Sequence, residues 1–451
     1  MGWRLAFGIV ATFAPIVSIA CGGRTDLGEI DEDAATSKDA SLDTKPLKDG
    51  SKTDVTTVDV YQPLGKKCPQ PTGAPPPPWV PDDAGAPLHP PYVASSGGPT
   101  IANPEFVAIT FNGDDNRDAI EDFIGSVGCT DYWRSIVRDY GINDGWMVGT
   151  AHLKDTPPAT IDDTQIGAFI RAKIASNELP AYVPNKTLYV IYYPETTDIT
   201  LEGLHSCNGF GGYHNEVKLT QTQSIPYAVM PNCGSFGQLG GLDALTYATS
   251  HELAEAVTDQ FPMTNPAYQF PEPDDIAWGL GGGGEVGDMC EFNEDSPLFP
   301  STYPFTVQKQ WVGSKAWDLH DPCQPSTQTY FAAAPVMPDL IPYDFGLGTG
   351  PSSTKGVKIA QGSQKTIDVK LIADGAWGPD IIIDVQDAAF FFGQKGALSF
   401  NVNPKSGKVG DTIKLTVNRI GTNQIFGVEP FLINAHSNGI TRSWWGLVGD
   451  P

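Results

Sequence analysis

Thr249-Ser250-His251-Glu252-Leu253-Ala254-Glu255-Ala256-Val257-Thr258-Asp259 is the stretch from which the rest of the chain is read. From Leu242 onward there is no Gly or Pro before Pro262. Leu242, Leu245, Thr249, Leu253 and Ala256 recur at helical spacing, which predicts an amphipathic helix with those residues turned to a core. His251 and Glu255 then lie one turn apart on the other side, and Glu252, the next residue round, leans toward the same point.

An imidazole and a carboxylate at i and i+4 supply two ligands to a divalent ion, and the Glu between them supplies a general base toward water. This is the logic of the His-Glu-x-x-His helices of metalloproteases, here with Glu255 in place of the second His. The same spacing also serves an ordinary solvated His–Glu pair. A third ligand must come from a later segment. Glu285-Val286-Gly287-Asp288-Met289-Cys290, after the run Gly281 to Gly284, offers Asp288, with Glu285 as the substitute. Gly203 to Asn215 reads as a Gly-dense loop carrying two further histidines, of which His214 is the stronger candidate for the site and His205 the weaker. Two carboxylates and one imidazole make a harder, more anionic set than the usual zinc site. Zinc is the first expectation, and Mn²⁺ and Ca²⁺ stay open.

The chain has 451 residues, enough for two or three domains, with 28 basic against 53 acidic residues and a net charge of −25. That balance argues against a nucleic-acid partner, which calls for a basic face. Gly (49) and Pro (39) are abundant, so many turns and long loops are expected. No nucleotide-binding glycine fingerprint or serine nucleophile elbow stands out.

Residues 1–21 read as a targeting segment: Arg4, an apolar run from Leu5 to Ala20, then Cys21 after small residues. Val17-Ser18-Ile19-Ala20-Cys21 resembles a bacterial lipobox, which implies lipidation of Cys21. Gly22 in place of Asp implies an outer-membrane destination. Residues 22–98, rich in Asp, Lys, Ser and Thr and then in Pro, read as an acidic tether. Six further cysteines, an even number in an exported chain, read as disulfides rather than metal thiolates. Sequential pairing is expected because each bridge then closes its own stretch: Cys68 with Cys129, Cys207 with Cys233, and Cys290 with Cys323.

From residue 99 strand and helix patterns alternate. Phe106 to Phe111, Trp146 to Leu153, Thr187 to Tyr193 and Tyr303 to Trp311 read as strands; Asp115 to Tyr140, broken near Gly128, and Asp162 to Leu179 read as helices. Residues 326–350 read as linker. In 351–451 short alternating runs such as Asp411 to Val417 predict an all-β sandwich of immunoglobulin-like kind. Trp444-Trp445 reads as core, with a sugar-stacking patch as the alternative.

Taken together, Gly209-Phe210-Gly211-Gly212-Tyr213-His214, the His251 helix, Glu285 to Cys290 and Val307-Gln308-Lys309-Gln310-Trp311 resemble the bacterial and fungal relatives of the EXORDIUM, or phosphate-induced, protein family over residues 99–325. The resemblance implies an α+β fold with a zincin-like α/β layer, a mixed sheet and an active-site helix. The resulting expectation is a surface-anchored metallohydrolase, a peptidase. Its metal sits on His251, Glu255 and Asp288, with Glu252 as the catalytic base and a peptide or cell-surface substrate. The alternative is a non-enzymatic adhesion lipoprotein with a structural or vestigial metal site.

Overall fold

The computed structural model describes residues 67–82, 88–280, 283–291, 293–299, 303–344, 352–422 and 424–451. The targeting segment and Cys21 lie outside these residues. The front half is built on one five-stranded sheet of β1 (Glu105–Phe111), β2 (Trp146–Leu153), β3 (Thr187–Tyr193), β4 (Tyr213–Lys218) and β5 (Ser224–Pro231), in the order β2-β1-β3-β5-β4. The first four strands in that order run parallel, and β4 pairs antiparallel with β5 at the edge. β1 and β3 are continuous runs of β-branched and aromatic residues because helices cover both sheet faces.

Strand alternation splits the apolar residues between those faces. Val107, Ile109, Tyr189, Ile191 and Val229 pack with Ile166 and Ile170 of α3 (Asp163–Ala175). Phe106, Ala108, Leu188, Val190 and Met230 face the opposite side. That side is covered by α1 (Arg117–Val127), α2 (Asp131–Val137) and α4 (Gly241–Thr258). α4 carries the quoted motif, and the amphipathic helix expected from its periodicity is corrected: every residue from Ala244 to Thr258 is buried. The helix is enclosed by β4, β5 and the short strand β6 (Val307–Gln308). Its hydroxyls turn back on the helix, with Thr249 Oγ1 donating to the Leu245 carbonyl (2.7 Å) and Thr258 Oγ1 to that of Ala254 (2.9 Å).

Three further expectations are corrected. The segment Tyr303 to Trp311 is not one strand; it yields β6, paired with Pro297–Leu298, and a separate pair Gln310–Trp311, which bonds to Cys323–Gln324 instead. The tether does not extend to residue 98: Cys68 is bridged to Cys129, Trp79 packs on Tyr92 and Trp317, and Val93–Ala94 pairs with Phe270–Pro271. The linker 326–350 is not linker throughout. It supplies β7 (Phe331–Pro335) and β8 (Asp339–Tyr343), whose hydrogen bonding to later strands its weak strand propensity does not reveal.

The C-terminal region is two packed sheets. With β9 (Ser352–Lys358), β10 (Gln364–Ala373), β11 (Ile381–Asp387), β12 (Leu398–Asn403), β13 (Ser406–Gly407), β14 (Thr412–Arg419), β15 (Glu429–Ser437) and β16 (Ile440–Gly449), the orders are β7-β10-β14-β12 and β8-β9-β16-β15-β11-β13. Ile413, Leu415 and Val417 all point inward, as the alternation requires. Trp444 and Trp445 are core residues, 3% and 8% exposed, and this removes the sugar-stacking alternative. Trp444 meets Trp278 edge-on at 5.4 Å, and Arg442 ties the sandwich to Asp295 and Asp321 of the front half.

Three disulfides, Cys68–Cys129, Cys207–Cys233 and Cys290–Cys323, join the cysteines sequentially. They fit an oxidising compartment. Among the described residues no helix is long and apolar enough to cross a membrane.

Candidate metal centre

The helical turn brings His251 Nε2 to 3.0 Å from Glu255 Oε2. What holds each group there lies outside the helix. Gln308 on β6 donates from Nε2 to the Gly287 carbonyl (2.7 Å), which fixes the amide so that Oε1 faces His251 Nδ1 at 2.9 Å. An oxygen can only accept, so Nδ1 carries a proton, and Nε2 faces the carboxylates with a lone pair in the neutral ring and a second N–H in the charged one. Glu255 Oε1 accepts from the backbone N–H groups of Gly287 (3.0 Å) and Asp288 (3.2 Å), leaving Oε2 toward the imidazole. Only glycine fits at 287: a Cβ there would stand 2.6 Å from His251 Nδ1 and 2.8 Å from Glu255 Oε1.

The turn after Gly287 delivers Asp288, with Oδ1 3.7 Å from His251 Nε2 and Oδ2 accepting from the Glu285 N–H at 3.3 Å. The Cys290–Cys323 bridge anchors this turn. His214 arrives from the opposite side. It sits on edge strand β4, not in the Gly-dense loop expected, since pairing begins at Tyr213 directly after Gly211-Gly212. Its Nδ1 lies 3.4 Å from Glu252 Oε2 and 3.7 Å from Glu255 Oε2, and its Nε2 lies 3.6 Å from Glu285 Oε1. Gly212 leaves the space for Glu252, since a Cβ there would be 3.0 Å from Glu252 Cγ.

All six candidate residues thus meet in one place, and two sets could each hold an ion: His251, Glu255 and Asp288, and His214, Glu255 and Glu285. Within each set the ligand atoms lie within 4.8 Å of one another. His205 is elsewhere, exposed and 2.8 Å from Asp198. Gln308 and Gly287 were not read from sequence as parts of the site. The signal available was a pair of Gln residues in the Val307 to Trp311 segment, and a Gly between two acidic candidates.

The electrostatics are those of an anionic cluster held out of water. Burial, then repulsion from Glu255 and the other nearby acids, pushes the Glu285 and Asp288 carboxyls well above the usual range. Burial also raises Glu252, opposed by its contact with His214. Glu255 goes the other way: burial opposes ionisation, but the adjacent His251 imidazole prevails and lowers it. Glu252 Oε1, Glu255 Oε2, Glu285 Oε1, Asp288 Oδ1 and His214 Nε2 are buried with no hydrogen-bond partner among the described residues. No Lys or Arg pairs with these carboxylates among the described residues. Lone pairs left facing one another in low dielectric are costly unless a proton or a cation lies between them. One imidazole and two carboxylate oxygens are a donor set that fits such an ion, for which tetrahedral ligand atoms sit about 3.3 Å apart. A cavity of about 70 Å³, lined by Trp311, Arg442 and Trp445 among others, borders Asp288.

Comparison with known proteins adds no family. No family model matches the sequence, and neither does any characterised protein. Among solved structures, 28% of the chain aligns with the twitchin kinase region from C. elegans (14% identity, TM-score 0.16), spanning 16% of that chain. In a second alignment, 27% of the chain matches a chimeric titin Z1Z2 functionalised with an exogenous peptide from decorin (11% identity, TM-score 0.14), covering 97% of it. At these scores neither alignment informs function.

Proposed function

We propose that this chain is an exported metallohydrolase of zincin-like layout, acting on peptides, with a divalent ion held by His251, Glu255 and Asp288. The observation that carries the reading is the convergence of His251 Nε2, Glu255 Oε2 and Asp288 Oδ1 in a buried place without a Lys or Arg counter-charge among the described residues. The helix-on-mixed-sheet arrangement and the resemblance to microbial EXORDIUM relatives support it. A zinc ion bound there supplies Lewis acidity toward a carbonyl and makes water more acidic. Glu252 is the proton acceptor: Oε2 is steadied by His214 at 3.4 Å, while Oε1 has no hydrogen-bond partner among the described residues and is placed to take a proton. His214 in turn keeps Glu252 oriented. The C-terminal sandwich, of immunoglobulin-like kind, and lipidation at Cys21 belong to the same proposal and put the domain at the outer-membrane surface.

One observation favours a second reading, a non-enzymatic surface adhesion protein with a structural ion. His251, Glu252 and Glu255 are each 0% exposed, as residues around a structural ion are. Zinc analysis of chelator-free protein, with Glu252→Gln assayed on a broad peptide library, separates the two. The enzyme reading expects zinc in both proteins and cleavage lowered at least about 100-fold in the variant. Zinc without any cleavage supports the adhesion reading with a structural ion, and metal-free protein without cleavage contradicts the enzyme reading and leaves an adhesion protein with a vestigial site.

A further inference from the structure

We infer that the centre is built for two cations rather than one, with Glu255 shared between them and the second ion held by His214 and Glu285. This inference rests on the reading of His251, Glu255 and Asp288 as the first ion's ligands.

The two sets meet at one atom. Glu255 Oε1 is already engaged by two backbone N–H groups, so Oε2 is the oxygen left for both ions. A single carboxylate oxygen between two cations matches the separation of about 3.5–4 Å in two-metal sites.

His214 resembles His251 in part, although its Nδ1, not its Nε2, is the nitrogen 3.7 Å from Glu255 Oε2. One ring nitrogen of each is engaged by a neighbouring acceptor: Nδ1 of His251 by Gln308 Oε1 at 2.9 Å, and Nδ1 of His214 by Glu252 Oε2 at 3.4 Å. The other ring nitrogen is turned on a carboxylate from the 285–288 turn. For His214 that atom is Nε2, 3.6 Å from Glu285 Oε1. The His214 side chain is 5% exposed and that of Glu285 1%, and neither His214 Nε2 nor Glu285 Oε1 has a hydrogen-bond partner among the described residues. With its Nδ1–H toward Glu252, the neutral ring presents a lone pair to the carboxylate oxygen, and either a cation or a second ring proton, which Glu252 and Glu255 favour, satisfies both atoms. The orienting carboxylate behind the imidazole is the usual support of a metal-ligating His.

The surroundings are anionic throughout: Glu252, Glu255, Glu285 and Asp288 meet here, with Asp259 and Glu291 beside them, and no Lys or Arg pairs with the four among the described residues.

The test is metal stoichiometry on the full exported chain, loaded with Mn²⁺ and dialysed, read by elemental analysis and by electron paramagnetic resonance. Two ions per chain with a spin-coupled signal are expected in the wild type. Glu285→Gln, which keeps size and shape, and His214→Ala should each leave one ion with an uncoupled signal, the disulfides remaining intact by thiol titration. A wild-type chain with a single ion unaffected by either variant overturns the second site while leaving the first. Two ions retained in both variants overturn the ligand assignment. A chain binding none sinks this inference together with the proposed function.

Discussion

Gln308 and His251 form the contact that sets the chemistry of the centre: the glutamine oxygen accepts the Nδ1 proton at 2.9 Å, while its amide nitrogen is held by the Gly287 carbonyl at 2.7 Å. One ring proton is therefore fixed from β6, by a residue 57 positions downstream of His251. Replacing Gln308 with Leu keeps a similar volume and removes this hold. Zinc affinity should fall roughly 10–100-fold, the usual cost of losing such a partner. Calorimetric titration with Zn²⁺ checks it, and an unchanged affinity would show that Gln308 does not orient the ligand.

Gly287→Ala should be far more damaging than its single methyl suggests. The added Cβ meets His251 Nδ1 at 2.6 Å and Glu255 Oε1 at 2.8 Å, with both partners buried and unable to withdraw. A loss of about 1–3 kcal/mol in chemical denaturation, together with weakened zinc binding, is expected. Gly378→Ala, where a Cβ meets nothing within 4 Å, is the control and should be near neutral. Equal effects at the two positions would contradict the packing described.

The metal-free protein should lose stability as pH rises. Burial pushes Glu272 up to about 7 and Glu291 up to about 8. A carboxyl whose folded pKa lies above its unfolded value of about 4.3 binds more protons folded than unfolded, so its contribution is full at low pH. That contribution declines between about pH 4 and pH 8. Asp295 acts oppositely: despite its burial, Arg442 and Lys309 hold it down at about 2, so its contribution is lost only as pH falls toward that value. Chelator-treated protein should melt higher at pH 5 than at pH 8. Zinc-loaded protein should show a smaller decline or none, because ligand carboxylates bind metal more tightly as they deprotonate. A metal-free melting temperature that climbs over this interval would refute the assignment.

Reduction should destabilise the front half. Each of the three bridges closes a separate loop, and loss of one is worth about 2–5 kcal/mol. Cys290→Ser with Cys323→Ser should in addition weaken metal binding, because it frees the turn that carries Asp288. Six alkylatable thiols in native protein, with an unchanged melting curve, would contradict the pairing.

How much of this was legible in the sequence depended on how local the determining physics was. β1 and β3 were plain because runs of β-branched and aromatic residues report burial on both faces directly. The disulfide pairing was recoverable because each bridge joins neighbours among the cysteines. The all-round burial of α4 was hidden, since its Ala, Thr and Ser residues carry little hydropathy and its acids look solvated until the opposing turn is in place. The strand position of His214 is masked by the glycines on its N-terminal side, which read as loop up to the start of the edge strand. β7 is invisible locally because Phe331-Ala332-Ala333-Ala334-Pro335 acquires its strand conformation from pairing with β10, a tertiary effect. Gln308 reads only as part of a strand, since nothing local ties it to a histidine so far away in the chain.

X-ray absorption at the zinc edge of the purified exported chain tests the central claim most directly. The account predicts a first shell of nitrogen and oxygen only, including an imidazole at about 2.0–2.1 Å, with no sulfur, and loss of the bound zinc in His251→Ala but not in His205→Ala. A sulfur-containing shell, or the same zinc spectrum and content after His251→Ala, would contradict it.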